Sequence, residues 1–304
     1  MDMAPFPTRI HLESTNTCNL DCYFCPYTRQ TRRKGFIDPD LFRKIIDECV
    51  PHNPKIWLHF LGEPLLHKRL PELIAYGKAQ GLAQLGLSTN AFFLTEALGE
   101  RLIRSGLDRL ECSVDGLDAA TFQRLRRSDG FPRVVGNVRR FLEVRRRLGL
   151  ETPVVTLSFM KTAQNVEDVP ALRDMWAQWL GPRDFLMMID DLSFAGEMRD
   201  PDAVGARAPC RWLWNYLVIL WSGDVVTCAS DYDGQRVMGN VKEQSLAAVW
   251  HGAAYQALRR VHAEKRWGEG GLCAGCDDWK LADGHGYQNV LIEAPLPSTR
   301  RTHP

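Results

Sequence analysis

No apolar run in this sequence is long enough to cross a bilayer. The longest, Trp212 to Trp221, is short and interrupted by Asn215. Met1 to Arg9 lacks the apolar core of a secretory signal, so a cytoplasmic location is expected. A charge excess is missing too. Lys and Arg number 38 against 37 Asp and Glu, a formal net charge of +1. That excludes a strong field toward nucleic acid or anionic membrane, and neither is expected as a partner. There are no internal repeats and no low-complexity domain. The basic run Arg145–Arg146–Arg147 sits in a helical pattern whose inward stripe is Val135, Val138, Leu142 and Leu148, so it is read as a solvated face.

Cysteine, in contrast, is abundant. Nine in a chain without a secretory signal argue against a disulfide framework and for metal or redox work. Strand and helix patterns alternate up to about residue 190. Strands are expected at Ile10–Leu12, Lys55–Phe60, Ala83–Ser88, Arg109–Val114, Val154–Met160 and Phe185–Ile189. Helices are expected at Pro39–Val50 (capped by Asp38), Pro71–Gln80, Glu96–Ser105, Ala119–Arg126, Val134–Leu148 and Val169–Leu180. Such alternation implies an α/β fold: a partial (βα)6 barrel of the TIM type, with a parallel sheet and outer helices. Asp200–Ala208 reads as a linker. Leu217–Trp221 and Val225–Thr227 form a hairpin with Gly223 in its turn, and Ser245–Val261 forms one amphipathic helix. The division expected is a barrel over 1–195, a small domain over 196–292 and a loose tail over 293–304.

Cys18, Cys22 and Cys25 follow the first strand in a CxxxCxxC spacing. Three thiolates on one loop can hold three corners of an iron–sulfur cube and leave the fourth iron open, or form a zinc loop lacking one ligand. Further along, Gly62-Glu63-Pro64, Ser88-Thr89-Asn90 and Ser113-Val114-Asp115-Gly116 each end an expected strand, and Ser158 lies on the fifth.

This ordered set resembles the radical S-adenosylmethionine (SAM) superfamily, over roughly residues 8 to 190. The resemblance implies a SAM-binding 4Fe–4S cluster on Cys18, Cys22 and Cys25, with the aromatic Phe24 before the last cysteine. It implies that Gly62, Glu63 and Pro64 meet the SAM amino group and that Ser113 and Asp115 meet its ribose. Arg126 would meet the SAM carboxylate, and Ser88, Thr89, Asn90 and Ser158 would line the same mouth. The chemistry implied is reductive cleavage of SAM to a 5′-deoxyadenosyl radical that abstracts hydrogen, fed by an external one-electron reductant such as flavodoxin or ferredoxin.

Cys210, Cys228, Cys273 and Cys276 lie beyond the barrel. Their spacing alone fits a tetrahedral zinc ribbon or a second cluster. They resemble the twitch domain, a shortened SPASM domain, which implies one auxiliary 4Fe–4S cluster with four protein ligands and a role in electron transfer. Two thiols remain, Cys49 and Cys112, both read as core residues; Cys112 points away from the mouth if Ser113 and Asp115 face it. With no thiol placed to return a hydrogen atom, oxidation is favoured over epimerisation. Within the family the chain resembles the 2-deoxy-scyllo-inosamine dehydrogenases of aminocyclitol pathways. The shared stretches are His59-Phe60-Leu61-Gly62-Glu63-Pro64-Leu65-Leu66, Met238-Gly239-Asn240-Val241 and Val249-Trp250-His251. It departs around Leu192-Ser193-Phe194, where an arginine is expected. The resemblance implies oxidation of a secondary alcohol on a polar sugar or aminocyclitol. His59, Asp190 and Asp191 are the candidate catalytic residues, each with an ordinary alternative as a strand histidine or a solvated strand end. Epimerisation and peptide modification remain as other outcomes.

Overall fold

The computed structural model describes residues 3–160, 166–189, 194, 207–282 and 292–293. Asp190 and Asp191, most of the expected linker and most of the tail lie outside these residues.

Six strands and six helices in alternation, with two helices after the fourth strand, build the first part of the chain. In order they are β1 (Arg9–Leu12), α1 (Pro39–Cys49), β2 (Lys55–Trp57), α2 (Leu70–Ala79), β3 (Leu85–Thr89), α3 (Glu96–Arg104), β4 (Arg109–Ser113), α4 (Ala119–Arg126), α5 (Phe131–Arg147), β5 (Val154–Met160), α6 (Val169–Ala177) and β6 (Phe185–Ile189). Helix α1 shows why such segments form. The Asp38 carboxylate accepts from the amides of Asp40 and Leu41, Pro39 opens the first turn, and Leu41, Phe42, Ile45, Ile46 and Cys49 make one buried stripe.

The remainder comprises α7 (Trp212–Asn215), β7 (Tyr216–Ile219), β8 (Asp224–Val226), β9 (Val237–Asn240), α8 (Leu246–Trp250), α9 (Ala253–Ala263), α10 (Trp279–Ala282) and β10 (Ile292–Glu293). One sheet runs through all of it, in the order β10-β6-β5-β4-β3-β2-β1-β7-β8-β9. Strand β7 pairs parallel with β1, from Arg9↔Tyr216 to Leu12↔Ile219, so the parallel run holds seven strands. The hairpin β7–β8 is antiparallel, and Gly223 takes the positive φ its turn needs.

Alternation along the strands separates two faces. Ile10, Ile56, Leu58, Leu85, Leu87, Leu110, Cys112, Val155, Leu157 and Leu217 enter the core beneath the helices. The other face carries His11, Trp57, His59, Ser88, Glu111, Ser113, Thr156 and Ser158. The barrel interior is therefore polar, as a binding chamber is.

Two expectations are corrected. The segment Ser245–Val261 is not one helix. It breaks into α8 and α9 because Gly252 is extended and caps α9. Nor is the whole Arg145–Arg147 run solvated. Arg145 is buried, donating to Asp184 and to the Pro153 carbonyl (2.6 Å), while Arg147 stays exposed. The long arginine reaches past the helix face to a carboxylate that the strand pattern gives no hint of.

Candidate active site

Strand β1 delivers the cysteine loop to the C-terminal end of the parallel strands. The Tyr27 hydroxyl bonds both the amide and the carbonyl of Cys18, each at 3.0 Å. Asn16 ties the returning chain down through Gln30, the Arg33 carbonyl and the Gly35 amide. Cys22 Sγ accepts from Arg126 at 3.5 Å, and the same guanidinium lies over the Phe24 ring at 5.1 Å. Asn90 Nδ2 stands 3.9 Å from Cys18 Sγ. Burial pushes the Cys18 thiol up to about 12. A thiol of that basicity needs a metal to become a thiolate at neutral pH.

Most of the other expected residues gather on one cleft, though Pro64, Asp115 and Ser158 are not in its lining. Its walls include Cys18, Cys22, Phe24, Cys25, His59, Phe60, Gly62, Glu63, Ser88, Thr89, Asn90, Ser113 and Arg126. Gly62 belongs there for steric reasons, since a Cβ at this position would sit 2.3 Å from the Thr15 carbonyl oxygen. Gly62→Ala is expected to push the cysteine loop away from β2, and iron content after anaerobic reconstitution should fall by about half or more.

Several of the expected residues are held by contacts within the protein. The Glu63 carboxylate is buried and accepts from the Leu65 amide, the Thr89 hydroxyl and the Asn90 amide at 2.7–2.9 Å. It is thus a strut between β2 and β3, and burial still raises its pKa. Asp115, with φ +30°, accepts from the Met160 amide at 2.5 Å and ion-pairs with Arg126. His59 accepts from the Ser88 amide at Nδ1 (3.0 Å), and burial lowers its pKa to about 4. The neutral ring therefore carries its proton on Nε2 and acts as a donor toward the interior. Ser158 is buried on β5 opposite Ser113.

Sequence reasoning missed Glu111, His11 and Trp57, which share the inner face with His59. Burial and the neighbouring His59 hold His11 well below the usual imidazole range. Trp57 lies across Gly86, where a Cβ would meet its ring at 3.0 Å. Their signal was the polar or bulky residue at alternate strand positions, hidden inside strands too short to display a period.

The second cysteine set forms around the hairpin. Burial raises the Cys228 pKa, and the nearby Cys273, Cys210 and Cys276 raise it further. Arg207 bonds the Cys273 and Ala274 carbonyls, Arg236 bonds the Gly270 carbonyl, and both cations favour the Cys273 thiolate. Among the described residues, no three Cys, His, Asp or Glu side chains converge as ligands of a single metal ion. The loops of the two cysteine sets meet. Arg32 makes a double ion pair with buried Glu13 and reaches the Tyr232 carbonyl, while Asp233 accepts from the Thr31 amide and hydroxyl.

Two family models match the chain: the radical SAM superfamily over residues 12–175, and the SPASM iron-sulfur cluster-binding domain over 210–277. The first spans more than half of the sequence. The chain belongs to the radical SAM superfamily. It is 24% identical to the S-adenosyl-L-methionine-dependent 2-deoxy-scyllo-inosamine dehydrogenase of Niallia circulans, covering 93% of this chain and 97% of that one. It is 27% identical to the PqqA peptide cyclase of Xanthomonas euvesicatoria, covering 85% and 78%. The crystal structure of BtrN in complex with AdoMet and 2-DOIA superposes with a TM-score of 0.61 at 22% identity, covering 91% and 94%. This radical SAM protein thus has the expected α/β fold with a small SPASM-type C-terminal part. Its cofactors are SAM, a 4Fe–4S cluster and an auxiliary iron–sulfur cluster. No described helix is long and apolar enough to cross a membrane.

Proposed function

We propose that this radical SAM protein is a dehydrogenase that oxidises a secondary alcohol of an aminocyclitol, sugar or aminoglycoside to a ketone. The observation that carries this reading is the position of the two cysteines outside the cluster sets. Cys49 is fully buried on α1, and Cys112 is fully buried on the helix side of β4. Neither faces the chamber where an epimerase would return a hydrogen atom. The aminocyclitol dehydrogenase among the relatives, matched over nearly its whole length, supports the same choice.

The residues divide as follows. Cys18, Cys22 and Cys25 hold the SAM-binding cluster, and Cys210, Cys228, Cys273 and Cys276 hold the auxiliary one. When bound, SAM with its cluster supplies a carbon radical that removes hydrogen, and the auxiliary cluster supplies a one-electron acceptor. Arg126 and Asn90 donate toward sulfur and stabilise the negative charge of the ligand set. Gly62, Glu63, Pro64 and the ends of β3, β4 and β5 shape the SAM cleft. His59 donates from Nε2 to a substrate oxygen and, with its proton fixed there, does not serve as the base. An external one-electron donor of the flavodoxin or ferredoxin kind completes the system.

Turnover in D2O tests the reading. Oxidation gives a product lighter by two hydrogens with no new C–D bond, whereas epimerisation gives a product that gains one deuterium at unchanged carbon framework. Cys228→Ala is expected to cut ketone formed per 5′-deoxyadenosine by at least ~100-fold, measured by mass spectrometry of both products. Unchanged coupling would remove the auxiliary site from the reaction.

A further inference from the structure

We propose that Glu111 is the substrate anchor of the barrel interior, and that it holds an ammonium group on the ring being oxidised. The inference rests on the dehydrogenase reading and narrows its substrate to an amine-bearing one.

Glu111 lies on β4 two residues before Ser113, so both side chains leave the same face of the strand. Ser113 lines the SAM cleft, which places Glu111 one step deeper in the chamber. Its neighbours across the sheet are Ser88 on β3 and Thr156 on β5. The Ser88 hydroxyl donates to its carboxylate at 3.2 Å, and the Ser158 hydroxyl donates as well.

What Glu111 lacks is a cation. The buried carboxylates Glu13, Asp115 and Asp184 each rest on an arginine: Arg32, Arg126 and Arg145. Glu63 and Asp231 take backbone amides instead. Glu111 has neither, and no cation among the described residues pairs with it. The guanidinium whose charge reaches it, Arg126, is already committed to Asp115. The imidazoles of His11 and His59 are held neutral by burial. A carboxylate partly withdrawn from water, with two hydroxyls as its only hydrogen-bond partners among the described residues, is costly, and desolvation accordingly raises its pKa. An ammonium brought by a ligand completes the missing half of the pair.

The surrounding surface matches a ring bearing both amine and hydroxyls. His59 Nε2 offers a donor, Ser88, Ser113 and Ser158 offer hydroxyls, and Trp57 gives an apolar plate across Gly86. A carboxylate, a fixed donor and an aromatic plate in one chamber can read charge, hydroxyl and ring face at once.

The test uses anaerobically reconstituted holoenzyme with SAM. The probes are 2-deoxy-scyllo-inosamine and the cyclitol in which a hydroxyl replaces its amino group. Equilibrium binding is read by tryptophan fluorescence, and KM and kcat by ketone formation. Wild type is expected to bind the amine at least ~10-fold more tightly than the cyclitol, and Glu111→Gln to erase that preference, chiefly through KM. Iron content and melting curves show that the variant is folded. Should Glu111→Gln not load iron, Glu111→Asp, which keeps the charge but withdraws it by one methylene, is expected to show a smaller loss selective for the amine. Wild type that oxidises both probes equally, or a variant that keeps the preference for the amine, overturns the anchor and leaves the dehydrogenase standing. Wild type that neither binds nor oxidises either probe overturns both.

Discussion

Cys22→Ala makes no measurable 5′-deoxyadenosine from SAM, a fall of at least ~10³-fold, and binds roughly four irons per chain where wild type binds about eight. Cys22 is the buried member of its set, and its sulfur takes the Arg126 hydrogen bond. Without it, two sulfurs remain, too few to hold three corners of a cube against loss to solvent. The guanidinium would then keep only Asp115 and the Phe24 ring as partners. Iron and sulfide analysis with product chromatography checks both halves of the expectation. A variant with full iron and normal SAM cleavage would show that these thiols are not the ligands.

Arg145→Leu destabilises the protein by about 3–5 kcal/mol, the usual consequence of stranding one partner of a buried ion pair. The partner left behind is Asp184, which also accepts from the Val155 and Gly181 amides and so joins β5 to the turn before β6. Thermal unfolding should move down by roughly 10 °C. Arg147→Leu, two residues on and exposed, should change stability by no more than about 0.5 kcal/mol. Equal shifts in the two variants would mean that the Arg145–Asp184 pair carries no special weight. The shallow depression beside this pair, walled by Leu142, Leu150, Trp179 and Pro182, lies outside the sheet and away from both cysteine sets.

Much of this was legible in the sequence, for reasons that can be named. Strands such as Val154–Met160 and helices such as Ala119–Arg126 carry their own periodicity and caps, and the structure reproduces their bounds. The cysteine spacings are local, so three thiols on one loop could be read as a set. Long-range pairings were not legible. That β7 would lie parallel beside β1 depends on residues some two hundred positions apart, and nothing in either strand announces the other. Glu111 was passed over because it stands next to Cys112 and Ser113, which drew attention to the strand end. Its significance comes from Ser88 and Ser158 on neighbouring strands. Arg145 was misread because three consecutive arginines look alike until a distant aspartate selects one. Asp190 and Asp191 lie outside the described residues, and the structure adds nothing to their sequence reading.

Phe60 belongs at once to the SAM cleft and to the apolar cluster that includes Cys210 and Cys228. The strands behind it form one uninterrupted sheet. On the proposed reading, an electron leaving the chamber would pass through packed side chains at Phe60. Thickening the solvent with a viscogen such as sucrose should leave the internal transfer rate unaltered. Shaving Phe60 to leucine should slow that transfer by thinning the medium through which it tunnels.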